Sequence, residues 1–529
     1  MTVRTPGGFL APAGRDDTAT NANAALYFVE RHAQASHRGK VAFIEGNRTL
    51  TYAALAHRSG QLSQLYRKHG LQPGDRAAMI VLDTIEFPII FWGSLKAGII
   101  PVPLNTLLTV EDYELILNDS RAKAVFVSAE VIEVVQPAID RCPDLQAVFV
   151  VGEYEHGYVS FDADLQSCAS SPSVHADADQ CAFWLYSSGS TGRPKGIRHT
   201  HANLRATADT YGAQVLGITS GDVVFSSAKL FFAYGLGNSL TFPMSVGATT
   251  VLSPQRPTPQ TVFQVMAETQ PTVYCGVPTL YAALLAAMEQ ATPPSLDRLR
   301  RCVSAGEALP ERIGQSWSML TGVEILDGVG STEMLHIYLS NVPGDVVYGT
   351  AGVPVPGYEL RLVAEGGGDV AAEDMGELLV RGPSATIGYA NETNDGGSTI
   401  ARDWIPTGDF YQRRADGRFV YRGRKNDTFK VSGIWVSPLE IEEAIAAHPD
   451  VLEAAVVSAK DENGLEKPKA FVVLNRKVDT MQFERELKEH VKQAIGKWKY
   501  PRWIEILEQL PKTATGKIQR HKLREHAGD

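Results

Sequence analysis

Residues 186–196 read Tyr-Ser-Ser-Gly-Ser-Thr-Gly-Arg-Pro-Lys-Gly, and this stretch decides the fold and the chemistry of the chain. It places four Ser or Thr hydroxyls, three glycines and Lys195 within eleven residues. Glycine lets successive backbone N–H groups converge on an anion, while the hydroxyls add donors and lysine adds positive charge. The apolar run 182–186 predicts a buried strand before it. We therefore expect a phosphate-binding loop at a strand end, where α/β sheets bind ligands.

Two other interpretations of this stretch are disfavoured. Clusters of Gly, Ser and Thr are most often plain turns or linkers, but a linker would not follow a buried strand. A Walker A loop needs Gly-Lys followed by Ser or Thr, whereas Gly192 precedes Arg193-Pro194 and Lys195 precedes Gly196. The stretch instead resembles the nucleotide loop of the acyl-adenylate-forming superfamily, which contains acyl-CoA synthetases, peptide-synthetase adenylation domains and luciferases.

The composition is that of an ordinary globular protein with more than one domain. A chain of 529 residues is longer than one core usually supports. The content of 44% hydrophobic and 21% charged residues is average. The net charge of −10 argues against nucleic acid as a partner.

Targeting and redox features favour the cytoplasm. The N-terminus shows no apolar core after basic residues, so no signal peptide is expected. The apolar stretch 87–101 is interrupted by Pro88, Lys96 and Pro101, which favours a buried helix ending near Gly98 over a membrane span. The five cysteines are scattered without metal-ligand spacing, as is typical of reduced thiols. We therefore expect a cytoplasmic protein without a membrane partner.

The order of apolar patterns predicts the fold class. Up to about residue 345, short apolar runs alternate with helix-like segments, which indicates α/β layers with parallel sheet. These runs are residues 77–82, 124–127, 147–151, 272–275 and 323–326. From Gly357, alternating runs between turns indicate an antiparallel sheet or a small barrel. Beyond Gly423 the chain restarts with its own αβ pattern, where Ser437, Pro438 and Glu440 predict a capping box.

The expected fold class is therefore α/β, and the resemblance implies a division into two domains. Residues 1–425 would form a large N-terminal domain of α/β layers with a small β-barrel-like subdomain, holding the ATP and acid pockets. Residues 426–529 would form a small, mobile α+β C-terminal domain that carries a catalytic lysine. The resemblance spans about residues 25 to 525.

Further motifs of the superfamily follow in its order. Residues 327–333 resemble the aromatic-Gly-x-Thr-Glu motif, which implies Thr332 on the α-phosphate of ATP and Glu333 as a Mg²⁺ ligand, although Val329 replaces the usual aromatic residue. The Thr-Gly-Asp sequence implies that Asp409 accepts both ribose hydroxyls. The residues implied to bind nucleotide are Ser187, Ser188, Gly189, Ser190, Thr191, Gly192, Ala305, Gly306, Glu307, Asp327, Gly328, Val329, Asp409 and Arg424. The residues implied to be catalytic are Lys195, Thr332, Glu333 and Lys517.

The last two motifs belong to the C-terminal part. Residues 423–433 match the interdomain hinge motif, with Asn426 at the hinge and Ser432-Gly433 beside the channel for CoA. Residues 511–518 match the C-terminal loop, which implies Lys517 as the adenylation lysine. In the superfamily the C-terminal domain rotates about the hinge between the two half-reactions.

Two further segments, residues 229–238 and 334–337, closely resemble those of benzoate-CoA ligases. The aryl pocket that they imply comprises Phe232, Ala233, Tyr234, Ala305, Gly328, Gly330, His336 and Ile337. Flat and small residues suit a rigid planar ring and leave no tunnel for a long alkyl chain. The alternative that Phe232 and Tyr234 are only core aromatics stays open at this point.

The resemblance thus implies an AMP-forming acid–thiol ligase that converts benzoate, ATP and CoA to benzoyl-CoA, AMP and pyrophosphate. A ligase for a hydroxy-, amino- or halobenzoate, and an adenylation enzyme that loads a carrier protein, are the alternatives. ATP, Mg²⁺ and coenzyme A are the implied cofactors and co-substrates. The expected partner is a small aromatic carboxylic acid, and a homodimer is left open. A non-catalytic nucleotide-binding module is disfavoured, because the motif residues that carry the chemistry are all present.

Overall fold

The computed structural model describes residues 21–528, except for 35, 155–157, 189–192, 372, 391–403, 432–433, 463, 477, 497–498 and 513–517. Its strands are β1 (Val41–Glu45), β2 (Arg48–Thr51), β3 (Arg76–Ile80), β4 (Ile100–Pro103), β5 (Ala124–Ser128), β6 (Ala147–Val151), β7 (Val159–Ser160), β8 (Cys181–Ser188), β9 (Pro194–Thr200), β10 (Val223–Ser226), β11 (Thr249–Leu252), β12 (Val273–Gly276), β13 (Arg301–Ser304), β14 (Ile325–Gly330), β15 (Ile337–Ser340), β16 (Val353–Pro354), β17 (Glu359–Val363), β18 (Met375–Arg381), β19 (Ile405–Arg413), β20 (Phe419–Arg424), β21 (Phe429–Val431), β22 (Ile434–Val436), β23 (Val451–Lys460), β24 (Glu466–Leu474) and β25 (Trp503–Ile506).

Along the chain, the helices lie between these strands and at both ends. The α-helices are α1 (Arg31–Gln34), α2 (Tyr52–Lys68), α3 (Glu86–Ala97), α4 (Val110–Ser120), α5 (Ile132–Ile139), α6 (Phe161–Gln166), α7 (His201–Thr207), α8 (Ala233–Leu236), α9 (Phe242–Val246), α10 (Pro259–Thr269), α11 (Pro278–Gln290), α12 (Glu311–Thr321), α13 (Pro438–Ala446), α14 (Thr480–Ile495) and α15 (Arg520–Gly528). Shorter π-helical segments are Leu26–Glu30, Ala208–Leu216 and Gly237–Thr241, and a 3₁₀ turn covers Ala129–Val131.

Two sheets built mainly of parallel strands confirm the predicted α/β layers. The larger has the order β16-β15-β14-β13-β12-β10-β11-β1-β2, with antiparallel pairs only at its edges. The smaller, β4-β3-β5-β6-β7, is parallel throughout. Each predicted run overlaps a strand, although β3 ends at Ile80, two residues before the end of its run. Strand β12 begins one residue after the start of its run, and β14 begins only at Ile325 and continues to Gly330.

The strand predicted before the 186–196 loop is confirmed as part of β8, but its predicted place in an α/β sheet was wrong. Strand β8 belongs to neither α/β sheet but pairs antiparallel with β9, with Ser187 opposite Lys195. The segment between β8 and β9 is five residues long, which suits a hairpin, whereas a parallel crossover needs a dozen residues or more. Strands β8 and β9 therefore form a hairpin, which the sequence did not predict, since an apolar run alone does not reveal which strand it pairs with.

Helix α3 contains the apolar stretch tested as a membrane span. All twelve of its residues are buried, and it ends at Gly98, whose φ of 74° suits glycine at a helix end. Strand β4 follows and takes up the last two residues of the stretch, Ile100 and Pro101. Among the described residues no helix has both the length and the apolar character to cross a bilayer.

The remainder of the chain forms smaller antiparallel and mixed sheets. Strands β17-β18-β19-β20 make an antiparallel meander, which is the first of the two forms predicted from Gly357 onward. Beyond Gly423, the mixed sheet β23-β24-β25 packs with α13 and α14 around an apolar core of its own.

Only one half of the capping box predicted at α13 forms. The Ser437 side chain accepts the backbone N–H of Glu440 at 3.2 Å. The Glu440 carboxylate accepts Lys499 Nζ at 2.6 and 2.7 Å instead of returning to the Ser437 backbone. A charged partner from outside the helix is the stronger hydrogen-bond donor, so it displaces the reciprocal bond.

Candidate active site

The ends of two neighbouring strands begin the candidate site. Strands β13 and β14 pair in parallel with Ser304 opposite Asp327, so Ala305 and Gly328 follow side by side. Ala305 is buried. Gly306 has a φ of 92°, a left-handed conformation that favours glycine. The sheet thus brings together two segments that are far apart in sequence and that were both predicted to line the pockets.

Gly330 lies where β14 and β15 lose their regular pairing. Their register shifts between Val329 and Gly330. A β-carbon at Gly330 would lie 2.6 Å from the backbone O of His336 and 2.9 Å from the N of Ile337. A side chain here would therefore force the backbone apart, which explains why this bulge needs glycine.

The loop 331–336 after the bulge contains a strained turn. Leu335 has a φ of 63°, and the N–H of His336 donates to Met334 O at 2.7 Å, which closes a three-residue γ-turn. A positive φ in a residue such as leucine costs about 1–3 kcal/mol and persists only where the surroundings fix it. Met334, Leu335 and His336 are all buried, so packing holds the turn.

Hydrogen bonds to backbone carbonyls fix this loop from outside. His199 Nε2 donates to Thr332 O at 2.8 Å, and the N–H of Thr386 donates to Glu333 O at 2.8 Å. Burial lowers the pKa of His199 to about 4, so the ring is neutral and carries its proton on the nitrogen that faces Thr332. Because β9 supplies His199, the hairpin positions the loop that bears Thr332 and Glu333.

Lys195 and Glu333 approach one tyrosine from two sides. Lys195 Nζ lies 5.3 Å from the ring centroid of Tyr389, whose hydroxyl donates to Glu333 Oε1 at 3.2 Å. Within the described part of the chain, Glu333 forms no ion pair, and no cluster of three or more metal-ligating side chains occurs. One carboxylate of this kind fits Mg²⁺, which usually takes one or two protein carboxylates and completes its shell with substrate phosphates and water.

The predicted ribose group lies on the paired strands β19 and β20. Asp409 is opposite Arg424, and Arg424 Nε is 3.1 Å from Asp409 Oδ1. The Tyr421 hydroxyl donates to the same oxygen at 3.4 Å. Burial raises the pKa of Asp409 to about 6, although Arg424 and Tyr421 oppose the shift. The carboxylate is therefore ionised at neutral pH and offers acceptors to a vicinal diol.

Asp327 is a second buried carboxyl group in the predicted nucleotide site. The backbone N–H of Leu309 donates to its Oδ2 at 3.4 Å, while Oδ1 is buried without a hydrogen-bond partner in the described structure. Burial raises the pKa of Asp327 to about 8. With this pKa the carboxyl is mostly protonated at neutral pH, and a buried polar atom without a partner fits a polar edge of adenine. Glu307, two residues before Leu309, and Val329, two residues after Asp327, are half-buried.

The residues predicted to line the aryl pocket differ in their burial and in their hydrogen bonds. The Tyr234 hydroxyl lies 3.1 Å from Gly276 O and 3.2 Å from Val303 O, so its single proton is shared between these carbonyls at the ends of β12 and β13. Ala233 is half-buried before it, at the start of α8. Phe232, in contrast, is 48% exposed and rests against Phe231, with 4.6 Å between ring centroids.

His336 packs behind Tyr234. Its Nε2 donates to Tyr234 O at 3.3 Å, and its ring centroid lies 4.5 Å from that of Phe242. Burial lowers the pKa of His336 to about 3. A β-carbon at Gly328 would lie 2.8 Å from Ile337 Cδ1, so glycine at this position leaves room for the Ile337 side chain. The Tyr234 hydroxyl faces backbone carbonyls, and His336 contacts the backbone of the same residue.

Several predicted residues lie outside the described residues. They are Gly189, Ser190, Thr191 and Gly192 of the hairpin tip, Ser432 and Gly433 of the channel, and Lys517. Asn426 is described and lies in a turn where the N–H groups of Asp427 and Thr428 both donate to Arg424 O at 2.9 Å. Asn426 does not adopt a positive φ. Its role as a hinge stays a prediction.

Four residues that the sequence interpretation missed contribute to this geometry: His199, Leu335, Tyr389 and Tyr421. His199 and Tyr421 lie within strands that carry several polar residues, and such side chains usually face solvent. Tyr389 follows Gly388, and a single glycine does not indicate a functional residue beside it. Only contacts between distant segments identify these residues.

Comparison with known proteins is consistent with the arrangement of these segments. The family model for AMP-binding enzymes matches residues 29–390, and the model for their C-terminal domain matches residues 440–517. A 4-hydroxybenzoate–CoA/benzoate–CoA ligase of Rhodopseudomonas palustris is 49% identical, over 95% of this chain and 94% of that protein. A benzoate–CoA ligase of Thauera aromatica is 48% identical, over 95% of both.

The fold has a close solved counterpart. The crystal structure of a benzoate CoA ligase from Burkholderia xenovorans LB400 superimposes with a TM-score of 0.84 at 44% identity, covering 96% of this chain and all of that one. The match extends across both the large sheets and the C-terminal part. The chain therefore belongs to the family of AMP-binding enzymes, within the acyl-adenylate-forming superfamily that its motifs resemble.

Proposed function

We propose that this protein is an ATP-dependent aryl acid–CoA ligase whose preferred acid is benzoate. The observation that carries the proposal is the hydrogen bond from His336 to Tyr234 O, which joins the segment predicted to bind the ring to the loop that bears Thr332 and Glu333. We propose that Tyr234 and His336 close a short pocket for one planar ring, with its carboxylate directed at that loop. Relatives named for benzoate support the choice of ring.

The first half-reaction activates the acid. An oxygen of the carboxylate attacks the α-phosphorus of ATP, and pyrophosphate leaves, so the carboxyl carbon gains AMP as a leaving group. Asp409 would hold the ribose, and Lys195 and Thr332 would donate to the phosphate oxygens on which charge develops. Glu333 would hold Mg²⁺, which neutralises charge on the phosphates when bound.

The second half-reaction transfers the acyl group. The CoA thiolate attacks the carbonyl carbon, the bond to AMP breaks, and the thioester forms. We propose that residues 426–529 rotate about Asn426 between the two steps, which brings Lys517 and then the Ser432-Gly433 segment to the acyl carbon. The division at residue 425 is supported by the separate apolar core that the C-terminal sheet and helices form.

A ligase for a substituted benzoate is the second candidate. The Rhodopseudomonas relative carries 4-hydroxybenzoate as well as benzoate in its name. A single hydroxyl or methyl changes selectivity in an apolar pocket by only about 10–200-fold. An adenylation enzyme that loads a carrier protein is a further alternative. A cytoplasmic location and a homodimer remain predictions from the sequence.

Pyrophosphate release with ATP and Mg²⁺ tests the proposal. We expect turnover that requires CoA and is fastest with benzoate among benzoate, its 2-, 3- and 4-substituted forms, acetate and octanoate. Preference for a substituted ring would keep the reaction and change the substrate. Activity with alkyl acids alone would contradict the assignment of the aryl pocket, and release without any need for CoA would favour the carrier-protein alternative.

The titration of Asp409 predicts how ATP binding depends on pH. A carboxyl group with a pKa of about 6 is ionised at pH 7.5 and mostly protonated at pH 5, where it loses acceptor capacity for the ribose. We expect Asp409→Asn to weaken ATP binding about tenfold or more at pH 7.5, and by a smaller factor at pH 5. Calorimetry at both pH values measures the ratio of the dissociation constants of variant and wild type. The protonation of ATP affects both proteins equally and so cancels in this ratio.

Asp83→Asn is the matched control. Burial also raises the pKa of Asp83 to about 6, but its carboxylate accepts the N–H of Leu230 at 3.1 Å, away from the ribose group. Its affinity for ATP should equal that of the wild type at both pH values. A constant effect of Asp409→Asn across the range would contradict the role of ionisation.

A further inference from the structure

The segment 384–390, which no motif marked, joins the two halves of the candidate site. On one side it runs antiparallel to β9 and extends the hairpin. The bonds are Ile387 N to Arg198 O at 3.1 Å, Arg198 N to Gly388 O at 3.0 Å and Ala390 N to Gly196 O at 2.8 Å. These pairs set Tyr389 opposite Ile197, two residues from Lys195.

On its other side the segment fixes the loop after β14. The N–H of Thr386 donates to Glu333 O at 2.8 Å, and Ser384 Oγ donates to Met334 O at 2.7 Å. Thr386 Oγ1 also donates to Arg198 O at 2.6 Å. One short segment thus fixes the distance between the strand of Lys195 and the backbone of Glu333.

Tyr389 is the side chain of this segment that contacts both charged groups. Its ring lies 5.3 Å from Lys195 Nζ, within the range of a cation–π contact, and its hydroxyl donates to Glu333 Oε1 at 3.2 Å. Lys195 and Glu333 form no ion pair with any residue in the described ranges. One neutral side chain therefore contacts two half-buried groups of opposite charge, which attract each other wherever they come close.

We propose that Tyr389 is a positioning residue for the adenylation step, an inference that rests on the proposed function. The ring holds the Lys195 ammonium toward the phosphates, while the hydroxyl occupies Glu333 Oε1 and leaves Oε2 for Mg²⁺. Tyr389 thereby prevents Lys195 and Glu333 from neutralising each other before MgATP arrives. Neither function needs Tyr389 to contact the substrate.

Two substitutions separate the roles of the hydroxyl and the ring. Tyr389→Phe keeps the ring and removes one oxygen, so we expect MgATP to bind about tenfold more weakly, while ATP in EDTA binds as in the wild type. Tyr389→Leu also removes the ring and releases Lys195 to pair with Glu333, so ATP binding in EDTA should weaken as well. Calorimetric titration of the full-length protein measures both affinities without turnover.

Tyr158→Phe is the matched control. The Tyr158 hydroxyl donates to Gln136 beside the smaller parallel sheet, so this variant loses one tyrosine hydrogen bond away from the candidate site. Its affinities for MgATP and for ATP in EDTA should equal those of the wild type. Thermal unfolding of each variant shows whether the fold is retained, and Tyr389→Phe alone carries the test if Tyr389→Leu fails to fold.

The outcomes distinguish this inference from the proposed function. The role of Tyr389 would be overturned if Tyr389→Phe bound MgATP as tightly as the wild type. It would also be overturned if the affinity for ATP fell equally with and without Mg²⁺. Either result would leave the ligase proposal standing. A wild-type protein that binds no ATP in either condition would overturn the proposed function and this inference together. A loss confined to MgATP in Tyr389→Phe supports both.

Discussion

Replacement of Lys517 by alanine is expected to slow formation of the aryl-adenylate by about 10²–10³-fold. The expectation rests on the C-terminal motif, since Lys517 lies outside the described residues. In the proposed mechanism, Lys517 donates to oxygens that gain charge as pyrophosphate leaves, and it has no task once the adenylate exists. Thioester formation from synthetic benzoyl-AMP and CoA should therefore keep its wild-type rate. Exchange of pyrophosphate into ATP measures the first step, and benzoyl-CoA formation from the synthetic adenylate measures the second.

Lys512→Ala is the control within the same motif. Lys512 Nζ forms an ion pair with Glu453 at 2.5 Å, which holds the chain before the loop to strand β23. Exposed pairs of this kind contribute about 0–1 kcal/mol, so this variant should keep both half-reactions. Equal loss of both half-reactions in Lys517→Ala would contradict the division of labour between the steps.

Gly330→Ala is the second substitution for which we expect a large effect. The added β-carbon would lie 2.6 Å from the backbone O of His336, and backbone cannot rotate away as a flexible side chain can. The loop 331–336 must then move, and it carries Thr332 and Glu333 on one side and His336 on the other. A displacement of about 1 Å at such groups costs about 10²-fold in rate. We expect kcat/KM for benzoate to fall by about that factor.

Gly221→Ala is the matched control for this substitution. Its nearest neighbour would be Thr219 Oγ1 at 3.8 Å, an ordinary contact, and Gly221 has no positive φ. This variant should keep the wild-type kcat/KM and unfolding temperature. Wild-type kinetics in Gly330→Ala would show that the bulge tolerates a side chain and that the loop geometry does not limit catalysis.

Part of this protein follows from its sequence alone. Apolar runs such as 124–127 and 147–151 predicted strands correctly, because a strand buried on both faces must be apolar throughout. The end of α3 at Gly98 was also predicted correctly, since glycine alone adopts a left-handed φ without strain. The family was identifiable because its motifs are contiguous, so each can be recognised without knowledge of its neighbours.

Pairing between distant segments was decided only by the tertiary structure. The strand before the 186–196 stretch carries the apolar pattern of a sheet strand, yet it forms a hairpin, since a pattern specifies burial and not the partner. The bond from His199 to Thr332 and the contacts of Tyr389 with Lys195 and Glu333 join residues more than fifty positions apart. The sequence by itself determined the types of groups available for the reaction. Their distances and ionisation, including the raised pKa of Asp409, depend on burial and neighbours that exist only once the chain has folded.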